Sequence, residues 1–394
     1  MSGRLALPCG ATAAHAGRVS GRSALTTTPA TLETRAQWVD TLRVALIAGV
    51  IVVHTATGYV TDIVGWYYDD ELEASTLAAI AFALPILLGA IFGLGPLFLV
   101  AGWFSVGSLD RHAPTGFLAS RLVRLGIPLL LTVLLITPLA DLVGNLWQED
   151  RSFLDYLAMT ELSVMWFVAA LLACSIGYAV LRAVRPRTGP RARPGRRAAV
   201  TAGVVIGSVS LVVWQFSTLV DNHLMNLRLG AWTQAVVLFA LGVMAAESGW
   251  DGSLTRDAER RLGRLAGVGL LAVSVVLAVA GAQDRIEELM RDVNAASVTF
   301  ASLYGLVSLA FPLWCLAWVR RRWPAHGEIL AKAGRGSYAT YVLHPLVLVG
   351  VMIAFRAVPL DAAWKFPLVA AVAVPFCFAV GYGVTRIPGV RRVL

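Results

Sequence analysis

The chain has 394 residues, of which 57% are hydrophobic and only 14% charged, with a mean hydropathy of +0.71. That excludes an ordinary soluble globule, in which about a quarter of the residues are charged. Its many apolar stretches near 20 residues point to one integral membrane domain instead of two or three soluble ones. A net charge of +9, from 33 Lys and Arg against 24 acids, would suggest nucleic acid if it stood alone. No folded basic module with interleaved aromatics accompanies it, so nucleic acid is not an expected partner.

In chain order, residues 1–36 are Ala, Gly, Thr, Ser and Arg without an apolar core, and read as a disordered cytoplasmic arm, not a cleaved signal peptide. Residues 37–388 form the membrane domain and 389–394 a short basic cytoplasmic tail. Ten apolar segments follow the arm, at about 39–60, 80–106, 122–143, 163–183, 198–220, 231–248, 263–281, 297–319, 337–356 and 366–386. All are expected to be helices, because lipid leaves unpaired backbone groups no water and no period-two barrel pattern is present. The fold class is therefore an all-α integral membrane protein, a bundle of ten transmembrane helices. Pro96, Pro128, Pro312, Pro345 and Pro375 lie inside segments, where kinks are expected. Cys9, Cys174, Cys315 and Cys377 are far apart and suggest neither a disulfide framework nor a zinc site, and no metal is expected.

Orientation follows from the basic residues. The arm, the even-to-odd connections and the tail carry 26 of the 33 Lys and Arg, the remaining connections six, which places both termini in the cytoplasm of a multi-pass cell membrane protein, a bacterial inner or plasma membrane by expectation. The Arg-rich connection over 182–197 reads as a disordered segment against anionic headgroups. No connection is much longer than about 20 residues, too short for a separate soluble domain, so any active site is built from helix faces and short loops.

The first span, "WVDTLRVALIAGVIVVHTATGY", carries Asp40, Arg43 and His54. Ionisable groups inside a span cost about 2.5–3.5 kcal/mol each and mark sites. Arg43 and His54 are eleven residues apart, about three turns plus 20°, so they share one face with a rise of about 16 Å. Arg43 falls near the cytoplasmic surface and His54 past the midplane. Asp40 is spaced to pair with Arg43. The plainer readings are a headgroup anchor for Arg43 and an interhelical hydrogen bond for His54. Arg121 and Arg124, one turn apart at the inner end of the third span, are either a routine anchor or, with Arg43, a phosphate-binding set.

Those features, with "GPLFLVAGWFS" in span two, "MWFVAALL" opening span four and "SYATYVLHPLVL" in span nine, resemble the membrane-bound acyltransferase-3 family over about residues 36–388. They are most similar to the glucan biosynthesis protein C type, in which "D-x-LR" runs into a hydrophobic stretch ending in His. The resemblance implies an acyltransferase that moves acetyl or succinyl from cytoplasmic acyl-CoA to a hydroxyl of a cell-surface glycan, lipid or small molecule. It implies no permanently bound cofactor, acyl-CoA being a cosubstrate, and membrane lipids as partners, and it leaves room for a homo-oligomer. His54 then takes the place of the essential histidine, Arg43 that of its paired arginine, and Arg121 and Arg124 those of the donor-binding pair.

The chemistry agrees with this on its own terms. An alcohol attacking a thioester needs a base that works near neutral pH, and imidazole fits. Direct attack and an acyl-histidine intermediate both remain open. Tyr338 and His344 are supporting candidates in span nine, His344 equally readable as a structural donor beside Pro345. Trp166 reads as an interfacial aromatic, and Asp141 and Glu161 are the nearest candidate acids for His54. A secondary transporter of a small polar solute is the principal alternative, since ten interrupted spans suit an inverted repeat. The Asp-Arg-His segment has no counterpart in span six. A non-catalytic scaffold would give the buried Arg and His no purpose.

Overall fold

The structure, a computed structural model, describes residues 29–59, 67–68, 82, 86, 88–89, 91–146, 151–187, 189, 192–223, 227–250, 252–324 and 327–394. Cys9, His15, His326 and most of the expected arm lie outside them. Helix α1 spans Pro29–Thr57, so residues 29–36 of that arm are helical. Helix α2 spans Gly95–Arg121, and a composite α3 covers residues 122–144. Then follow α4 Trp166–Val184, α5 Arg196–His223, α6 Trp232–Glu247, α7 Arg256–Ala282, α8 Ala295–Arg322, α9 Glu328–Ala354 and α10 Ala362–Val384. No strand occurs among the described residues.

Nine helical stretches among the described residues are long and apolar enough to cross a bilayer. One of them, Gly95–Gly144, has 50 residues and would be about 75 Å long if straight, over twice the hydrocarbon thickness. It is broken at Ala113, which takes φ 55° and ψ 167°. Pro114 is the reason: its ring bars the preceding residue from the helical region. The connection between the second and third segments is therefore helical on both sides of one non-helical residue, where the sequence suggests a loop.

Prolines shape α3 as well. A π turn over Leu122–Gly126 precedes Pro128, and another over Thr132–Ile136 precedes Pro138. Widening the turn makes room for each ring and relieves the carbonyls that lose a donor. Thr132 Oγ1 donates to the Pro128 carbonyl at 2.8 Å. Pro96 differs from expectation: it occupies the first turn of α2, after a turn at Gly93–Leu94, where its missing N–H costs nothing.

Large apolar side chains such as Leu130, Val204, Val268 and Leu271 face outward and exposed, the surface of a protein whose solvent is lipid. The chain is an all-α integral membrane protein. Inside, α1 packs on α9 and α10, α2 on α6 and α4, and α8 on α5 and α7. Leu42 and Ile51 of α1, Phe98 of α2, Leu238 of α6, and Leu348 and Met352 of α9 join one buried cluster. The crossing of α2 and α6 needs small residues: a Cβ on Gly102 would stand 2.0 Å from the Phe239 carbonyl oxygen, and one on Gly242 2.0 Å from that of Leu99.

Arg182 corrects the reading of the Arg-rich connection. Instead of reaching headgroups, it is buried in α4 and paired with Glu247 of α6, its guanidinium 5.4 Å over the Tyr178 ring. Tyr178 also donates to Glu247 Oε1 at 3.4 Å. A desolvated carboxylate on the neighbouring helix outcompetes the membrane surface for this arginine. Cys174, Cys315 and Cys377 are unpaired.

Candidate functional site

The α1 helix is continuous from Asp40 through His54, so Arg43 and His54 stand on one face with about 16 Å of rise between them. At the upper position, His54 Nδ1 is 2.9 Å from Nε2 of His344, 290 residues away. Their ring planes differ by only 7°, with centroids 5.1 Å apart. His344 is fully buried and His54 partly so. On its other side, His344 Nδ1 lies 2.6 Å from the Tyr341 carbonyl oxygen. Tyr341 is itself anchored: its hydroxyl donates to the Val164 carbonyl, and its ring meets Phe167 edge-on at 5.7 Å.

At the lower position, Arg43 Nη1 is 3.6 Å from Asp40 Oδ1, and 45% of the Arg43 side chain stays exposed, leaving the guanidinium reachable by a ligand. Helix α9 comes close here through Gly334, where a Cβ would stand 2.7 Å from that of Asp40. Arg121 donates to Ser105 Oγ at 3.3 Å and lies 5.0 Å over the Phe117 ring. It is near enough to Arg124 and Arg43 to feel both charges. Three arginines from two separate spans thus share one region, Arg124 exposed within the first π turn. Like charges gathered this way repel, and an anion spanning them relieves the cost. Tyr338, one turn above Gly334 on α9, has a buried hydroxyl without a hydrogen-bond partner. Gln37 Oε1 and Trp38 Nε1 on α1 are in the same condition.

The two levels therefore differ in chemistry. The upper one can exchange a proton; the lower one can hold phosphate. The suggested acids Asp141 and Glu161 stand beside Tyr67, whose hydroxyl donates to Ser163 Oγ at 2.5 Å. His54 meets an imidazole. Trp166 opens α4 and is half-buried, its ring centroid 6.5 Å from that of Phe98.

Arg228 escaped the sequence reading. It sits before a short 3-10 turn, Leu229–Ala231, with φ 54°, and its charge is felt at His54. Its loop is pinned by two indoles, Trp232 Nε1 to the Leu227 carbonyl at 2.9 Å and Trp214 Nε1 to the Gly230 carbonyl at 3.3 Å. Its place as the single Lys or Arg of the connection between spans five and six was the available signal. No group of His, Cys, Asp or Glu suited to a metal occurs among the described residues. An open cleft of about 560 Å³ between α1, α9 and α10, lined by Val44, Ala333, Phe378 and Tyr382, contains none of the site residues.

A family described as an acyltransferase domain matches residues 36–385. No curated protein matches the chain, and no solved structure does.

Proposed function

The chain belongs to the acyltransferase-3 family, and from that premise we propose that it moves an acyl group, acetyl or succinyl, from cytoplasmic acyl-CoA to a hydroxyl of a cell-surface glycan, lipid or small molecule. The observation that carries the proposal is the separation of a proton-exchanging level from a phosphate-holding one along a single face of α1. Arg43, Arg121 and Arg124 hold the donor's phosphates at the cytoplasmic end, where guanidinium forks match phosphate oxygens. The unpartnered polar atoms of Gln37, Trp38 and Tyr338 are groups a bound donor would satisfy. Three helical turns separate this level from His54, a span the donor's pantetheine arm can cover.

At the upper level His54 is the general base. It takes the proton of the acceptor hydroxyl as that oxygen bonds to the thioester carbonyl carbon. The C–S bond then breaks, and the same proton passes to the departing thiolate. The products are an ester and free coenzyme A, with no change of oxidation state. A base of this kind contributes on the order of 10²- to 10⁴-fold in rate.

The test uses membranes containing the full chain and their endogenous acceptors, supplied with acetyl-CoA or succinyl-CoA labelled in the acyl group. His54→Ala should abolish incorporation at normal protein abundance. Incorporation at the wild-type rate would remove His54 as the base.

A further inference from the structure

The contacts of His344 say more about the proton than its position alone. Along an α-helix the N–H of residue 345 would bond the carbonyl of residue 341. Residue 345 is proline, which has no N–H, so the Tyr341 carbonyl loses its helical donor. His344 Nδ1 stands 2.6 Å from that oxygen. A carbonyl oxygen only accepts, so Nδ1 of His344 carries the hydrogen. A neutral imidazole has one N–H, and Nε2 of His344 therefore carries its lone pair. His54 Nδ1, 2.9 Å from that lone pair, must then be the donor. The near-coplanar rings, 7° apart, suit a hydrogen bond lying in the plane of both.

We infer that His344 is a positioning residue that holds His54 in the tautomer protonated at Nδ1, so that the lone pair which receives the acceptor's proton is on Nε2. This rests on the proposed role of His54 as base. The chain of consequence runs from the proline to the open carbonyl, then through His344 to the reacting imidazole. Each link is fixed from outside: Tyr341 is held by the Val164 carbonyl, in the 3-10 turn Ser163–Met165 that precedes α4, and by Phe167 of α4, and His344 is fully buried, where no solvent competes for its nitrogens. During transfer Nε2 of His54 gains the hydroxyl proton and later yields it to the thiolate. The Nδ1 hydrogen stays on His54 throughout, bonded to His344, which orients the ring and steadies the transient imidazolium.

Amide substitutions separate this role from a merely structural one. In His344→Gln the amide oxygen can reach the place of Nε2 and accept from His54, while the bond to Tyr341 is lost. In His344→Asn the amide nitrogen takes the place of Nδ1, keeping the bond to Tyr341 and losing the one to His54. His344→Leu removes both. Initial rates of acyl incorporation would be measured in membranes against acetyl-CoA or succinyl-CoA concentration, with abundance and elution profile in detergent as the folding control. The expected result is a fall in maximal rate on the order of 10²-fold for His344→Leu and His344→Asn, with KM for the donor within about twofold, and recovery to within about tenfold of wild type for His344→Gln. Equal rates in the Gln and Asn variants, or a better rate with Asn, would overturn the inference while leaving the base in place. An active His54→Ala would refute the parent reading instead.

Discussion

Glu247→Ala should destabilise the bundle far more than the loss of one surface contact. The substitution strips the partner from Arg182, whose side chain is 8% exposed while that of Glu247 is fully buried. The two side chains are in direct contact, and removing one member leaves an uncompensated guanidinium between α4 and α6. Breaking such a pair costs about 3–5 kcal/mol. Apparent melting of the detergent-solubilised protein, followed by the surviving monodisperse elution peak, should therefore drop clearly for Glu247→Ala. The penalty is the stranded charge, not the missing attraction alone, so Arg182→Met combined with Glu247→Leu should melt close to wild type. A Glu247→Ala protein that melts like wild type, or a double variant as unstable as the single one, would refute this reasoning.

Further expectations concern the site. Arg43→Ala and Arg121→Ala should each raise KM for acetyl-CoA or succinyl-CoA several-fold with less effect on the acceptor requirement; initial rates with either substrate varied would check this, and equal effects on both would argue for a structural role. Pro345→Ala restores an N–H that competes with His344 for the Tyr341 carbonyl. It should lower the acyl incorporation rate while leaving the melting temperature unchanged or higher, and an unaltered rate would show that the carbonyl does not govern His344.

The helical segments and the shared face of Arg43 and His54 were legible because both rest on local quantities, hydropathy over some 20 residues and 100° of rotation per residue. Other features depend on partners remote in sequence. Arg182 and Arg185 look alike at the edge of the same basic run, and only the presence of Glu247 on a helix 65 residues away draws the first inward. The adjacent His344 and Pro345 announced a donor beside a kink; that the same ring's second nitrogen meets His54 follows from the packing of α9 on α1. Arg228 belongs to a loop whose course is set by Trp214 and Trp232, which no periodicity records.

The break at Ala113 limits how the lower level can deform. One residue outside helical geometry divides α2 into a part before Ala113 and a part after it that runs on through Arg121 into α3 and Arg124, and a residue offers only two soft torsions. Such a joint has no slack to pay out, and the bond from Arg121 to Ser105 Oγ ties the two sides of the break together. In the proposed donor site, room for a bulky nucleotide would have to come from the opposite wall, where the half-exposed Arg43 side chain has several rotatable bonds.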